Sequence, residues 1–108
     1  NTSSKIEKNI EVPKVDRKVQ RRQAAELRKQ LQPITKKVSN VEKDIAKNEQ
    51  ELGSIEEQLL DTTMYDDKNK KQLQEILQRQ GMLQQKNKAL EEVWIMLHEE
   101  LERLENSL

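Results

Sequence analysis

Apolar residues recur at alternating steps of three and four along two long stretches of this 108-residue chain. In the first they stand at Ala24, Leu27, Leu31, Ile34, Val38, Val41, Ile45, Leu52, Ile55 and Leu59, with Asn48 the one polar member. In the second they stand at Leu73, Ile76, Leu83, Leu90, Trp94, Leu97, Leu101, Leu104 and Leu108, interrupted by Gln80 and Asn87. A spacing of this kind keeps a narrow stripe in phase with an α-helix and makes the seam of a coiled coil; a core helix of a compact domain shows a wider stripe. Composition agrees. Charged residues make up 37% of the chain and apolar ones only 32%, too few for a compact core but enough for a seam. Each stretch would extend about 54 Å as a helix.

Several classes are excluded by what is missing. No run of 18 apolar residues exists, so the sequence predicts no membrane span and no membrane partner, and its polar start lacks the apolar stretch of a signal peptide. Without Cys there is no disulfide framework or thiolate metal site, which favours a reducing, cytoplasmic setting. Only two Gly and two Pro, amid abundant Lys, Glu, Gln and Leu, favour helix over disorder.

Between the stretches lies Asp61-Thr62-Thr63-Met64-Tyr65-Asp66-Asp67, whose Asp and Thr oxygens can cap a new helix. A connection this short joins antiparallel neighbours. The expected fold is therefore all-α: a two-helix antiparallel coiled-coil hairpin. Its first helix should run over about 17–60, its tip over 61–66 with a short helical turn at Met64-Tyr65, and its second helix over about 67–106. One continuous helix through residue 62 is the alternative, and would need a partner chain. Pairing positions whose numbers add to 135 sets Leu59 on Ile76, Leu52 on Leu83, Ile45 on Leu90, Val41 on Trp94, Val38 on Leu97 and Leu31 on Leu104. It also sets Asn48 on Asn87, so the two amides can satisfy each other. The neighbouring register strands Asn87 against Val41, and an unpartnered buried amide costs about 1–3 kcal/mol. In the favoured register Lys37 approaches Glu100, Arg28 approaches Glu105 and Glu51 approaches Lys86, while Glu42 beside Glu91 is unfavourable. A hairpin fills its own seam, so a monomer is expected.

Pro33 removes the hydrogen bond to the Lys29 carbonyl, yet the seam keeps its phase at Leu31 and Ile34, so a kink is expected there and not an end. Residues 1–16 read as a flexible linker, since residues 1–13 show no period and include Pro13.

Nothing in the sequence supports catalysis by this chain. Gly53 and Gly81 stand alone at helical positions, so no phosphate-cradling loop exists. His98 is the only His and has no Cys beside it, which argues for a surface residue and against a metal ligand. Glu91, Glu92, Glu99, Glu100, Glu102 and Glu105 resemble paired carboxylates, but acid–base work needs a pocket to perturb them, and a solvated acidic face is the simpler reading. Trp94 lies in phase with the seam and is expected to anchor it.

Charge is distributed unevenly. Residues 1–54 carry 13 basic and 8 acidic side chains, residues 55–108 carry 7 and 12, and the total is neutral. In the hairpin the basic stretch from Leu27 onward lies beside residues 91–105, where six Glu meet one Arg. The arm of residues 14–22, with five basic residues and one acid, reaches past that acidic stretch. A basic arm of this kind suits phosphate backbones. Its cations are Lys14, Arg17, Lys18, Arg21 and Arg22, with Arg28 and Lys29 following. It contains no aromatic residue, so the expected binding is salt-dependent and weakly sequence-specific. The competing reading is a structural coiled coil that binds protein or dimerises, with no nucleic acid involved.

One resemblance sharpens these expectations. The run Arg17-Lys18-Val19-Gln20-Arg21-Arg22, then Leu27-Arg28, the step Leu31-Gln32-Pro33-Ile34, Val41-Glu42, the loop with Asp61 and Met64-Tyr65, and Glu91-Glu92-Val93-Trp94 form a recognisable combination. Over residues 16–105 it resembles the C-terminal coiled-coil domain of the ABC-F ATPases, in their YheS-like branch. It departs at Thr62, where that family often has Pro. The resemblance implies a fragment of a longer protein with two ATP-binding cassettes ahead of residue 1. ATP and magnesium would serve those cassettes, and no cofactor would bind this fragment. It also implies a ribosome-associated translation factor or, by likeness to Uup proteins, a DNA-binding domain. By that analogy Lys14, Arg17, Lys18, Arg21, Arg22, Arg28 and Lys29 would meet phosphates of ribosomal RNA or DNA.

Overall fold

The computed structural model describes residues 14–107, and their side chains from Asp16 onward. Two long helices account for most of them: α1 (Lys14–Leu60) and α2 (Lys70–Asn106). Short 3-10 turns at Thr62–Tyr65 and Asp67–Asn69 join the two. The fold is all-α, with no strand among the described residues. No described helix is long and apolar enough to cross a membrane.

The seam residues do what their spacing requires. Ile34, Val38, Ile55 and Leu83 are buried, and Leu83 retains only 1% of its exposure. Most of their heptad neighbours, among them Leu31, Val41, Ile45, Leu52, Leu90, Leu97, Leu101 and Leu104, are half-buried. Two helices cover only one stripe of each other, so complete burial is confined to a few layers. Across the seam the Asn48 Nδ2 donates to the Asn87 Oδ1 at 2.8 Å, and the Asn87 Nδ2 reaches the Ile45 carbonyl at 3.5 Å. Asn87 is itself buried, and this pairing leaves its amide with partners. Nearer the tip, Arg79 holds Glu51 through two hydrogen bonds, Nε to Oε2 at 2.6 Å and Nη2 to Oε1 at 2.9 Å. Partner numbers on α2 thus fall from 87 to 79 as those on α1 rise from 48 to 51.

The tip is closed by side chains reaching backbone groups. Asp61 Oδ1 accepts from the Thr63 amide at 3.0 Å and from the Thr63 hydroxyl at 2.7 Å, which holds the Asp61 carboxyl below its ordinary range. Tyr65 donates its hydroxyl to the Leu59 carbonyl at 2.7 Å, satisfying one of the acceptors left over at the end of α1. Asn69 Nδ2 donates to the Thr63 carbonyl at 2.8 Å, and Met64 is buried under these bonds.

Some expectations are corrected. Continuous α-helix resumes at Lys70 and not at residue 67, because residues 67–69 form a tighter turn. Asp61 caps the turn of the tip; Asn69, which precedes α2, gives that helix no side-chain cap, and its Nδ2 donates back to the Thr63 carbonyl. Glu51 takes Arg79 as its partner instead of Lys86, since a guanidinium offers a planar fork that grips both carboxylate oxygens. Among the described residues no ion pair joins Lys37 to Glu100 or Arg28 to Glu105. Trp94 is 37% exposed and so not the buried anchor its phase suggested. Its ring lies 4.0 Å, centroid to centroid, from that of His98 at a 50° tilt. An indole is seldom fully covered even in larger cores, and one facing helix covers it less. α1 runs through Pro33 without a break, and the Thr35 hydroxyl donates to the Leu31 carbonyl at 3.0 Å beside it. The linker expected over residues 1–16 lies outside the described residues as far as residue 13; residues 14–16 belong to α1. Leu108, the last expected seam position, also lies outside them.

Candidate nucleic-acid interface

All seven basic residues singled out in the sequence fall on α1, which is continuous from Lys14. Helix geometry then fixes their directions. At 3.6 residues per turn, positions 14, 17, 18, 21, 22, 28 and 29 follow one another by three and four, and all lie within an arc of about 140°. Lys14, whose side chain is outside the described set, contributes its place on that face only. The side chains of Arg17, Lys18, Arg21, Arg22, Arg28 and Lys29 are exposed. The acids of the same segment, Asp16 and Glu26, project away from this face by the same count. The helix thus sorts a mixed sequence into a cationic stripe about 22 Å long, on the side of α1 turned away from the seam.

Lys36, seven residues after Lys29, continues the stripe and was not among the expected site residues. Its signal was that seven-residue step, which carries meaning only once the helix is known to pass Pro33 unbroken. There the surface holds a shallow open groove of about 690 Å³ lined by Arg28, Leu31, Gln32, Thr35, Lys36 and Ser39.

The acidic stretch lies farther along the rod than the arm. Continuing the pairing of Asn48 with Asn87, Ser107 comes level with Arg28. The described part of α2 therefore ends where the stripe is still running. None of Glu91, Glu92, Glu99, Glu100, Glu102 and Glu105 enters an ion pair among the described residues. Among those residues, too, no group of three His, Cys, Asp or Glu is placed to hold a metal ion. The remaining hollows are open grooves beside the seam, lined by Asp44, Lys47, Glu51, Arg79 and Lys86 in one case and by Glu51, Gln58, Glu75 and Arg79 in the other.

Comparison with known proteins adds no relative: no family model, no curated protein and no solved structure matches the chain.

Proposed function

We propose that this chain is an antiparallel coiled-coil hairpin that contacts nucleic acid, DNA or ribosomal RNA, through the cationic stripe at the start of α1. The observation that carries the reading is the sorting of Lys14, Arg17, Lys18, Arg21, Arg22, Arg28 and Lys29 onto one face, with Asp16 and Glu26 turned away. A phosphate backbone presents charge along a line, and a straight row of cations engages it without reading bases. The paired amides of Asn48 and Asn87 support the antiparallel register, and the missing donor at Pro33 supports a bend between stripe and rod. The resemblance to ABC-F C-terminal domains extends the proposal. In that setting the hairpin is a non-catalytic accessory of cytoplasmic ATPase cassettes and positions them on the ribosome or on DNA.

Binding to a DNA duplex and to purified ribosomes, measured from low to high salt, tests the reading. A duplex-binding chain should show log affinity falling against log salt with a slope of about −4 to −6 if most of the stripe engages. Lys18→Glu, Arg21→Glu and Arg22→Glu together should abolish binding, while Lys70→Glu with Lys71→Glu, exposed at the tip end of the rod, should change it little. Failure to bind either target at low salt, or equal loss in both variants, would sink the proposal.

A further inference from the structure

The base of α2 carries a surface that the nucleic-acid reading leaves unused. Ile95 and Met96 are large apolar residues exposed by 51% and 67%, while Val93 and Trp94, also exposed, fall by helical count on the sides nearer the seam. Elsewhere on the rod exposed apolar residues such as Leu60, Leu77 and Met82 are scattered singly. By helical count Ile95 and Met96 lie on the side of α2 opposite Leu97 and Leu101, turned away from α1. Glu92, Glu99 and Glu102 lie around them, also exposed and without ion-pair partners among the described residues. An acidic rim about an apolar centre is the anatomy of a docking surface for a basic amphipathic helix.

This chain supplies such a helix. Residues 14–22 carry five basic residues to one acid, and Val19, also exposed, lies on another side of the helix from the cationic stripe. Residues 91–105 carry six Glu to one Arg. The arm spans about 13 Å and the acidic stretch about 22 Å, so one fits along the other. Within one molecule they do not meet, because the register of Asn48 and Asn87 sets 91–105 level with 30–44 of α1. We propose that two copies of this chain associate reciprocally, the basic arm of each lying along the acidic and apolar stretch 91–105 of the other. The contact is two-fold and closed, so it yields a dimer and not a filament. It joins the rods at their bases and leaves both tips outward, and it does not depend on the nucleic-acid reading.

Sedimentation of the full chain without nucleic acid tests it, at about 0.05 M and about 0.5 M salt. The expected result is a monomer–dimer equilibrium weakened about tenfold or more by the higher salt. Variant one, Arg21→Glu with Arg22→Glu, and variant two, Glu92→Lys with Glu99→Lys, should each be monomeric, since the first cancels the net charge of the arm and the second nearly all of that of the stretch. Mixing them should restore a heterodimer, because the unchanged arm of variant two then meets the unchanged stretch of variant one. Circular dichroism shows whether each variant keeps its helices; if one unfolds, Glu99→Lys and Arg22→Glu alone form the complementary pair. A chain monomeric at low salt and high concentration, or a dimer indifferent to salt and to both variants, would overturn the proposal. So would a mixture that stays monomeric.

Discussion

Between Ile45 and Leu90 the two helices are tied by polar bonds as well as apolar contact, Asn48 to Asn87 and Arg79 to Glu51, and the tip is closed by Tyr65 to Leu59 and Asn69 to Thr63. Toward the base, Ile34 and Val38 keep the seam buried, yet among the described residues no hydrogen bond or ion pair joins 28–44 to 91–107, and Val93 to Met96 stand exposed. The same heptad repeat therefore builds two different objects. The tip half spends its polar groups on its own register and leaves few for partners. The base half carries exposed cations and mostly exposed carboxylates, and both the proposed nucleic-acid stripe and the proposed dimer surface lie there.

Leu83→Ala is the sharpest challenge to this contrast. Truncating a side chain this buried should cost about 2–5 kcal/mol, read as a lower denaturation midpoint. Trp94→Ala should cost less despite removing the larger side chain, because Trp94 is already partly in water. The reverse order would erase the distinction between the halves. Next in size, Asn87→Ala leaves Asn48 without its partner and should cost about 1–3 kcal/mol. Replacing both by Leu should restore stability while loosening the choice of register, which spin-label distances between the helices would reveal.

How far the sequence foretold this depends on the kind of information each residue carries. Spacing is phase, and phase is reliable: Ile34, Val38, Ile55 and Leu83 are buried where the seam requires. Asn48 and Asn87 are legible as partners because a buried amide has few ways to be satisfied. Phase does not give depth, and so Trp94, in step with the seam, stands partly in solvent. Nor does level along the rod decide between Arg79 and Lys86 for Glu51, because long side chains reach more than a turn and fork geometry selects among them. For the candidate site, the seven cations were legible as a run, but their sharing of one face followed from a helix that starts by Lys14, and its continuation to Lys36 from one that passes Pro33.

A smaller effect, of opposite sign, is expected at the glycines. A Cβ added at Gly53 or Gly81 meets nothing within 4 Å, and neither residue has a positive φ. Each change to Ala should therefore stabilise by about 0.5–1 kcal/mol, seen as a higher melting temperature with the same helix content. The smallest effect concerns acid. Glu51 is held below its ordinary value of 4.5 by the hydrogen bonds from Arg79, and Asp61 below 3.8 by those from Thr63. A lowered carboxyl stabilises the fold fully above its unfolded value and loses that contribution as pH falls through the folded one. Acidification from pH 4.5 downward should thus loosen the tip half, and Glu51→Gln with Asp61→Ala should flatten that dependence in thermal melts.

The two locks, at the tip and at Asn48–Asn87, also decide how the rod can transmit motion. Helices that slide past each other carry a signal along their length, as a piston does. Here a slide would break the pair of Asn48 and Asn87 and the bonds of Arg79 to Glu51 together, so the register resists it. α1, with 47 residues, is about 70 Å long. A turn of about 10° at the base then carries the tip through about 12 Å. With the nucleic-acid contact proposed above at the cationic base, the molecule would work as a lever whose stroke falls at Met64 and Tyr65.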